Sequence, residues 1–186
     1  MRIIGGRSRG LHLSAVGVGD ARAHLRPTSD RVREAIFNLL INGGYNDPVS
    51  DARVLDLFAG TGALGLEALS RGARSVAFVE DGSVALGILR RNVGLMRVEA
   101  QVDVIRRDAT KLGPVRGAGF GLAFLDPPYG RGLGEAALAS AQAGGWLQPG
   151  AIVVWEEGVA PEIPAGFDPL DQRRYGDTVV TILRMA

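Results

Sequence analysis

Three short segments of this chain carry residue types that could do chemistry together. In Val54-Leu-Asp-Leu-Phe-Ala-Gly-Thr-Gly-Ala-Leu-Gly65, Gly60, Gly62 and Gly65 satisfy the spacing G-x-G-x-x-G. Between a strand and a helix, such a turn lets a nucleotide approach the backbone and the helix N-terminus. Glu80 follows 20 residues after Gly60, at the end of the next apolar run. A carboxylate there can accept hydrogen bonds from both ribose hydroxyls of an adenosine. In Phe124-Leu-Asp-Pro-Pro-Tyr-Gly130 a carboxylate, two prolines and an aromatic ring stand in succession. Consecutive prolines fix the backbone and remove two N–H donors, so carbonyls and the Asp126 carboxylate form an array of acceptors. Such an array suits an exocyclic amino group, which is a donor, with Tyr129 placed to stack on a flat base. Taken singly, each segment also has a structural explanation: a tight turn without a ligand, a strand-end acid on the surface, a Pro-Pro turn closing a strand. It is their order along one chain that points to chemistry.

The elements that must position these segments alternate along the chain. Val54 to Phe58, Val76 to Val79, Val102 to Ile105, Leu122 to Leu125 and Ile152 to Trp155 read as strands. Ala63 to Ser70, Val84 to Met96 and Glu135 to Ala143 read as the intervening helices. The strands are continuously apolar rather than alternating, so both sheet faces are covered and the sheet is expected to be mostly parallel and doubly wound. The glycine turn and the Asp126 segment then share the carboxyl rim. Asp171 to Tyr175 and Thr178 to Arg184, around Gly176 and Asp177, read as an antiparallel hairpin closing the sheet. Before the first strand, Arg2 to Val18 suits a small hairpin or arm. Arg26 to Asp30 is a helix-start signal, followed by Val32, Ile36, Leu39 and Leu40 at helical spacing and a stop near Gly43 and Gly44.

With 186 residues, one compact domain is the expectation. Hydrophobic residues make up 46% and charged residues 22%, which excludes disordered and fibrous classes. No apolar run reaches the ~18 residues of a membrane span and no signal-peptide core opens the chain, so a cytoplasmic protein is expected. The absence of cysteine excludes disulfide scaffolds, thiolate catalysis and cysteine-bound zinc, and His12 and His24 are too few for a histidine metal cage. The net charge of +1 hides an asymmetry: residues 1 to 33 hold seven arginines against Asp20 and Asp30, leaving the remainder of the chain negative. A basic, glycine-containing segment is the electrostatic footprint of a phosphate-backbone reader, although a solvated face explains it as well.

The glycine turn and Glu80 alone do not separate a nicotinamide enzyme from one using S-adenosylmethionine (AdoMet). The Asp126-Pro127-Pro128-Tyr129 element does, because it resembles the signature of AdoMet-dependent amino-methyltransferases that modify adenine N6, cytosine N4 or guanine N2. Arg2-Ile-Ile-Gly-Gly-Arg-Ser-Arg-Gly10, Arg26-Pro-Thr-Ser-Asp-Arg-Val-Arg-Glu-Ala-Ile-Phe-Asn-Leu-Leu40 and Asp56 to Ala73 closely resemble the RsmD family. Its members are bacterial 16S rRNA guanine-N2 methyltransferases acting on the guanine numbered 966 in the usual scheme. The resemblance covers nearly the whole chain. It is densest in residues 1 to 73 and 120 to 130, and weak after Gly158 apart from Tyr175-Gly176; Ser14 to Leu25 is longer than the family pattern.

The resemblance implies a Rossmann-like class I AdoMet-dependent methyltransferase, α/β, with a mostly parallel seven-stranded sheet. It implies a basic N-terminal hairpin or arm over residues 1–27 and a methyltransferase domain over residues 28–186. Carried over by position, it assigns Asp56, Gly60, Thr61 and Gly62 to the methionine and ribose side of AdoMet, Glu80 to the ribose hydroxyls, and Asp108 with Ala109 to the adenine. Asp126 and the Pro127 carbonyl would hold the guanine amino group, and Tyr129 would stack the base. Arg7, Arg9, Arg26 and Arg31 are the candidate RNA contacts. The implied partner is 16S rRNA or a small-subunit assembly particle, with no metal, no membrane and a monomeric chain. Three competing readings differ in what they predict: an amino-methyltransferase of adenine N6 or another base would use the same Asp126 and Tyr129. An NAD-dependent oxidoreductase would bind NAD and leave the Asp-Pro-Pro-Tyr segment unexplained, and a noncatalytic RNA-binding assembly factor would have no need of an intact turn, Glu80 and Asp126 together.

Overall fold

The computed structural model describes residues 1–15 and 29–186. Seven strands form one sheet in the order β3-β2-β1-β4-β5-β7-β6. They are β1 (Arg53–Leu57), β2 (Ser75–Glu80), β3 (Val102–Arg106), β4 (Phe120–Leu125), β5 (Leu147–Glu157), β6 (Phe167–Tyr175) and β7 (Thr178–Met185). The first five run parallel, whereas β7 pairs antiparallel with both β5 and β6. Helices α1 (Asp30–Asn42), α2 (Ala63–Ser70) and α3 (Ser83–Met96) share one apolar cluster with Val54, Phe78 and Phe124. Helix α4 (Leu133–Ala143) shares the other with Leu55, Leu57, Leu125 and Trp155. Alternate residues of the same strands feed the two clusters, which is why these strands read as unbroken apolar runs rather than as alternation.

Local chemistry sets the element ends. Ser29 caps α1, its hydroxyl accepting from the Val32 N–H at 3.2 Å. Phe58, expected inside the first strand, lies beyond it with φ +58°. A left-handed conformation at a bulky residue costs on the order of 1–3 kcal/mol and ends the ladder there. The sixth strand begins at Phe167, four residues before the expected start. Pro169 concealed it, being tolerated because β6 is an edge strand whose register shifts between Pro169 and Asp171. On the α4 side Gly134 is required by packing, since a Cβ there would come within 2.2 Å of the Trp155 ring.

The first fourteen residues form a narrow hairpin, with Arg2 bridged to His12 and the Ile3 N–H donating to the Leu11 carbonyl at 2.9 Å. It lies along α2. The Ile4 and Gly5 N–H groups donate to the two oxygens of Glu67, both at 2.8 Å, and the Arg7 N–H donates to the Ser70 carbonyl. Glu67 is fully buried, receives Arg71 Nε at 2.7 Å and lies 3.7 Å from Nε of Arg33, itself 1% exposed on α1. Arg33 also donates to the Arg2 carbonyl and to Asp30. Hence Arg33, counted within the basic N-terminal segment, is a structural charge, and Arg2 lies 3.4 Å from Asp30. The segment's net positive charge therefore overstates what it offers to a partner.

Candidate functional site at the carboxyl rim

From β1 the chain winds outward to β2 and β3, then returns to place β4 and β5 on the other side of β1. The strand order reverses between β1 and β4, and in open α/β sheets ligands bind in the crevice at that reversal. Asp56 pairs with Phe124 across this junction, and the Asp126 N–H points to the Leu57 carbonyl at 3.5 Å. The Gly60–Gly62 turn and the Asp126-Pro127-Pro128-Tyr129 segment therefore leave adjacent strands on the same rim.

The glycine turn is built from left-handed residues, with φ +58° at Phe58, +56° at Gly60 and +81° at Gly62. The Ala59 N–H donates to the Val79 carbonyl and the Gly62 N–H to the Ala59 carbonyl, so the turn is closed by its own backbone. Gly62 is the residue before α2, and a Cβ there would meet Leu89 at 2.4 Å. Thr61 is buried, with its carbonyl receiving Asn92 Nδ2 at 2.9 Å.

Asp56 is buried and accepts the Gly65 N–H at 2.9 Å. Burial pushes its carboxyl well above the usual carboxylate range against the opposing effect of that N–H, and the neighbouring carboxylates of Asp126 and Glu80 push it further. Glu80 is held by three backbone amides: Gly60 N–H at 2.8 Å, Asp81 N–H at 3.0 Å and Gly82 N–H at 2.8 Å. A carboxylate offers about four acceptor sites. Asp108 and Ala109 stand at the end of β3, where the Asp108 carboxylate accepts the Thr110 hydroxyl at 2.7 Å and its N–H at 2.9 Å. Those two bonds, with Lys111 3.9 Å away, hold the Asp108 carboxyl below the usual range. Ala109 is buried.

On the β4 side Pro127 is buried, and Asp126 and Tyr129 are half-buried. The Tyr129 ring lies against Gly158, where a Cβ would come within 3.0 Å of it, and its hydroxyl is 3.4 Å from Thr178 Oγ1. Glu157 holds the same corner, accepting N–H bonds from Gly130 at 3.1 Å and Gly158 at 2.9 Å. The sequence reading missed Gly158, Thr178 and Glu157, because they come from β5 and β7, 27 to 49 residues away. It also missed Asn92, which carried a local signal: a polar residue interrupting the buried series Ala85, Leu86, Leu89, Val93 and Met96.

Two of the candidate RNA contacts, Arg7 and Arg9, stand apart from this crevice. Arg7 and Arg9 are exposed at the hairpin turn, beside the C-terminal end of α2, with Arg7 Nη2 donating to Gln101 at 2.7 Å. Eight residues of α2 separate them from the glycine turn, about 12 Å of helix. Arg31 is exposed in the first turn of α1. Arg26 lies outside the described residues. Among the described residues, no group of three or more His, Asp or Glu side chains is disposed to hold a metal ion, and no helix is long and apolar enough to cross a membrane.

The chain is similar to known proteins over almost its full length. The family described as conserved hypothetical protein 95 matches residues 1–184. Ribosomal RNA small subunit methyltransferase D of Escherichia coli is 37% identical, over 90% of this chain and 81% of the relative. The protein of the same name in Haemophilus influenzae is 35% identical, over 84% and 78%. The solved structure of the Escherichia coli protein yhhF superimposes with a TM-score of 0.83 at 34% identity, covering 100% of this chain and 97% of that one.

Proposed function

Because the chain belongs to the conserved hypothetical protein 95 family, the RsmD family of rRNA methyltransferases, we propose that it methylates the exocyclic N2 amino group of a guanine in small-subunit rRNA, with AdoMet as methyl donor. The observation that carries this reading is the junction of β1 and β4, where the Asp126-Pro127 segment and the glycine turn leave adjacent strands on the same rim. Glu80 and Asp126 form a negative pair suited to a cationic sulfonium and ammonium, and a cation there favours ionisation of Asp56, whose carboxyl is raised by burial first and by those two carboxylates second.

In this reading Asp56, Gly60, Thr61 and Gly62 hold the methionine and ribose side of AdoMet. Glu80 takes the ribose, and Asp108 with Ala109 borders the adenine. When bound, AdoMet supplies an electrophilic methyl group. Asp126 and the Pro127 carbonyl accept hydrogen bonds from the guanine amine and orient it. The amine lone pair is delocalised into the ring, and its proton is too weakly acidic for a carboxylate to remove beforehand. Asp126 therefore polarises and positions the amine, and proton loss accompanies or follows transfer. Tyr129, which lies against Gly158 and Thr178, stacks on the base. The guanine must be unpaired or flipped to reach the rim, which a single-stranded loop makes cheap.

Incubating the protein with AdoMet labelled in its methyl group, small-subunit rRNA and small-subunit particles, followed by nucleoside analysis, tests the proposal. Labelled N2-methylguanosine is expected. Label in N6-methyladenosine instead would move the same crevice to another amine, and absence of label from every nucleoside would overturn the reading.

A further inference from the structure

We infer that the outer face of α3, together with the turn of the N-terminal hairpin, forms a second surface that grips the phosphate backbone of rRNA flanking the target base. The inference rests on the rRNA reading above and assigns a place for the RNA chain outside the catalytic crevice. Helix α3, Ser-Val-Ala-Leu-Gly-Ile-Leu-Arg-Arg-Asn-Val-Gly-Leu-Met, contains no acidic residue. Arg90 and Arg91 are exposed on it, and Arg97 is exposed in the left-handed position that ends it.

Two sets of hydrogen bonds bring the hairpin beside this helix. Asn92 accepts the Ser14 N–H at 2.7 Å and donates to the Ser14 carbonyl at 3.0 Å. At the other end, Arg7 reaches Gln101 in the 3-10 turn Glu99–Gln101, just after α3. The hairpin turn and the C-terminal half of α3 thus belong to one side of the molecule. That side carries Arg7, Arg9, Arg90, Arg91 and Arg97 against Glu99. Among the described residues none of these five arginines is in a salt bridge, and the partner of Arg7 is a neutral amide.

A helix dipole favours cations only within the last turn. Arg90 and Arg91 lie before it, so the dipole does not account for them. An uncompensated positive field on one exposed face is suited to a polyanion. Its placement also fits the crevice. Ser83, the first residue of α3, follows the Glu80–Gly82 corner of the rim, and Arg90 lies about 10 Å along the helix from it, Arg97 about 20 Å. RNA leaving the acidic rim, where phosphates are repelled, meets this face next. Among the described residues, Leu95, 46% exposed between Arg91 and Arg97, and Val84, 43% exposed in the first turn, are the large apolar side chains exposed on this helix.

The test replaces Arg90→Ala, Arg91→Ala and Arg97→Asn together; alanine preserves the helix, and asparagine tolerates the left-handed end. Binding of a small-subunit rRNA fragment is measured across salt concentrations, alongside AdoMet binding, melting temperature and methyl transfer. The expected result is a slope of log affinity against log salt smaller in magnitude by about 2 to 2.7, from three lost phosphate contacts, with AdoMet affinity and melting temperature unchanged. A wild-type slope in a variant whose parent methylates rRNA would overturn this inference and leave the proposed function standing. Loss of binding to assembled particles with an unchanged slope on naked RNA would instead assign the face to a ribosomal protein, which also overturns it. A parent protein that neither methylates nor binds rRNA would remove the function first and this inference with it.

Discussion

At the carboxyl rim, Asp56, Glu80 and Asp126 stand at the ends of neighbouring strands, and Asp56 and Glu80 are oriented by backbone amides of the glycine turn and its flanks. In the arm, Ile4 and Gly5 are held by the side chain of Glu67, 62 to 63 residues away, which is itself buried with Arg33 and Arg71. The rim gathers carboxyl groups on rigid strand ends, and the arm and α3 gather positive charge on an exposed face. The difference suits a cationic small molecule in one place and a polyanion in the other. It also separates their failure modes: a rim substitution should alter cofactor or rate, whereas an arm substitution should alter either RNA binding or stability, according to whether the residue is exposed or buried.

The largest effect is expected from Glu67→Ala. It leaves the buried Arg33 with only the half-exposed Asp30 as a carboxylate partner and orphans two amides of the hairpin, and breaking a buried ion pair in this way costs about 3–5 kcal/mol. Urea denaturation should show that loss, and a variant as stable as its parent would refute the anchoring of the arm. Next, Glu80→Ala should weaken AdoMet binding by about 1 to 3 kcal/mol, measured by calorimetry. It should leave the salt slope of RNA binding unchanged; a changed slope would mean the two regions are not separate.

Arg7→Ala with Arg9→Ala should reduce the magnitude of that slope by roughly 1.4 to 1.8 if both contact phosphate. AdoMet affinity should stay as it was. If these arginines instead fasten the arm, the double variant should lose melting temperature and keep its slope. The smallest effect is a pH dependence. Asp56, raised by burial and by Asp126 and Glu80, favours its protonated form in the free protein, so its contribution to stability is fullest at low pH and declines as pH rises toward the folded value. A cationic ligand favours the ionised form, so AdoMet affinity should rise with pH over the same window, by at most about tenfold per unit for one proton released. Affinity that falls as pH rises would contradict the electrostatic account of the crevice.

What was legible beforehand divides along the same line. Strand, turn and helix around Gly60 announce themselves because every contact that shapes them is close in sequence, and the apolar runs betray a sheet covered on both faces. The order of Glu80 and Asp126 along the chain gave their shared rim. Glu67, in contrast, looks like an ordinary helix acid between Leu66 and Ala68. Its burial is decided by Arg33, two elements earlier, and by hairpin amides that no local pattern reveals. Likewise Tyr129 is set by Gly158 and Thr178, across the hairpin that closes the sheet, and β6 hid behind Pro169 at an edge where proline costs little.

The role of Asp126 bears the whole account, and a single-turnover measurement tests it. With saturating AdoMet and rRNA, Asp126→Ala should lose about 100-fold or more in the methyl-transfer rate, the scale of removing one positioned polar group from a reacting centre. AdoMet affinity, titrated on the same preparation, should be nearly unchanged, and Asp126→Asn, which keeps an accepting oxygen, should fall between. An Asp126→Ala protein that transfers methyl groups to rRNA at close to the parent rate would contradict the account.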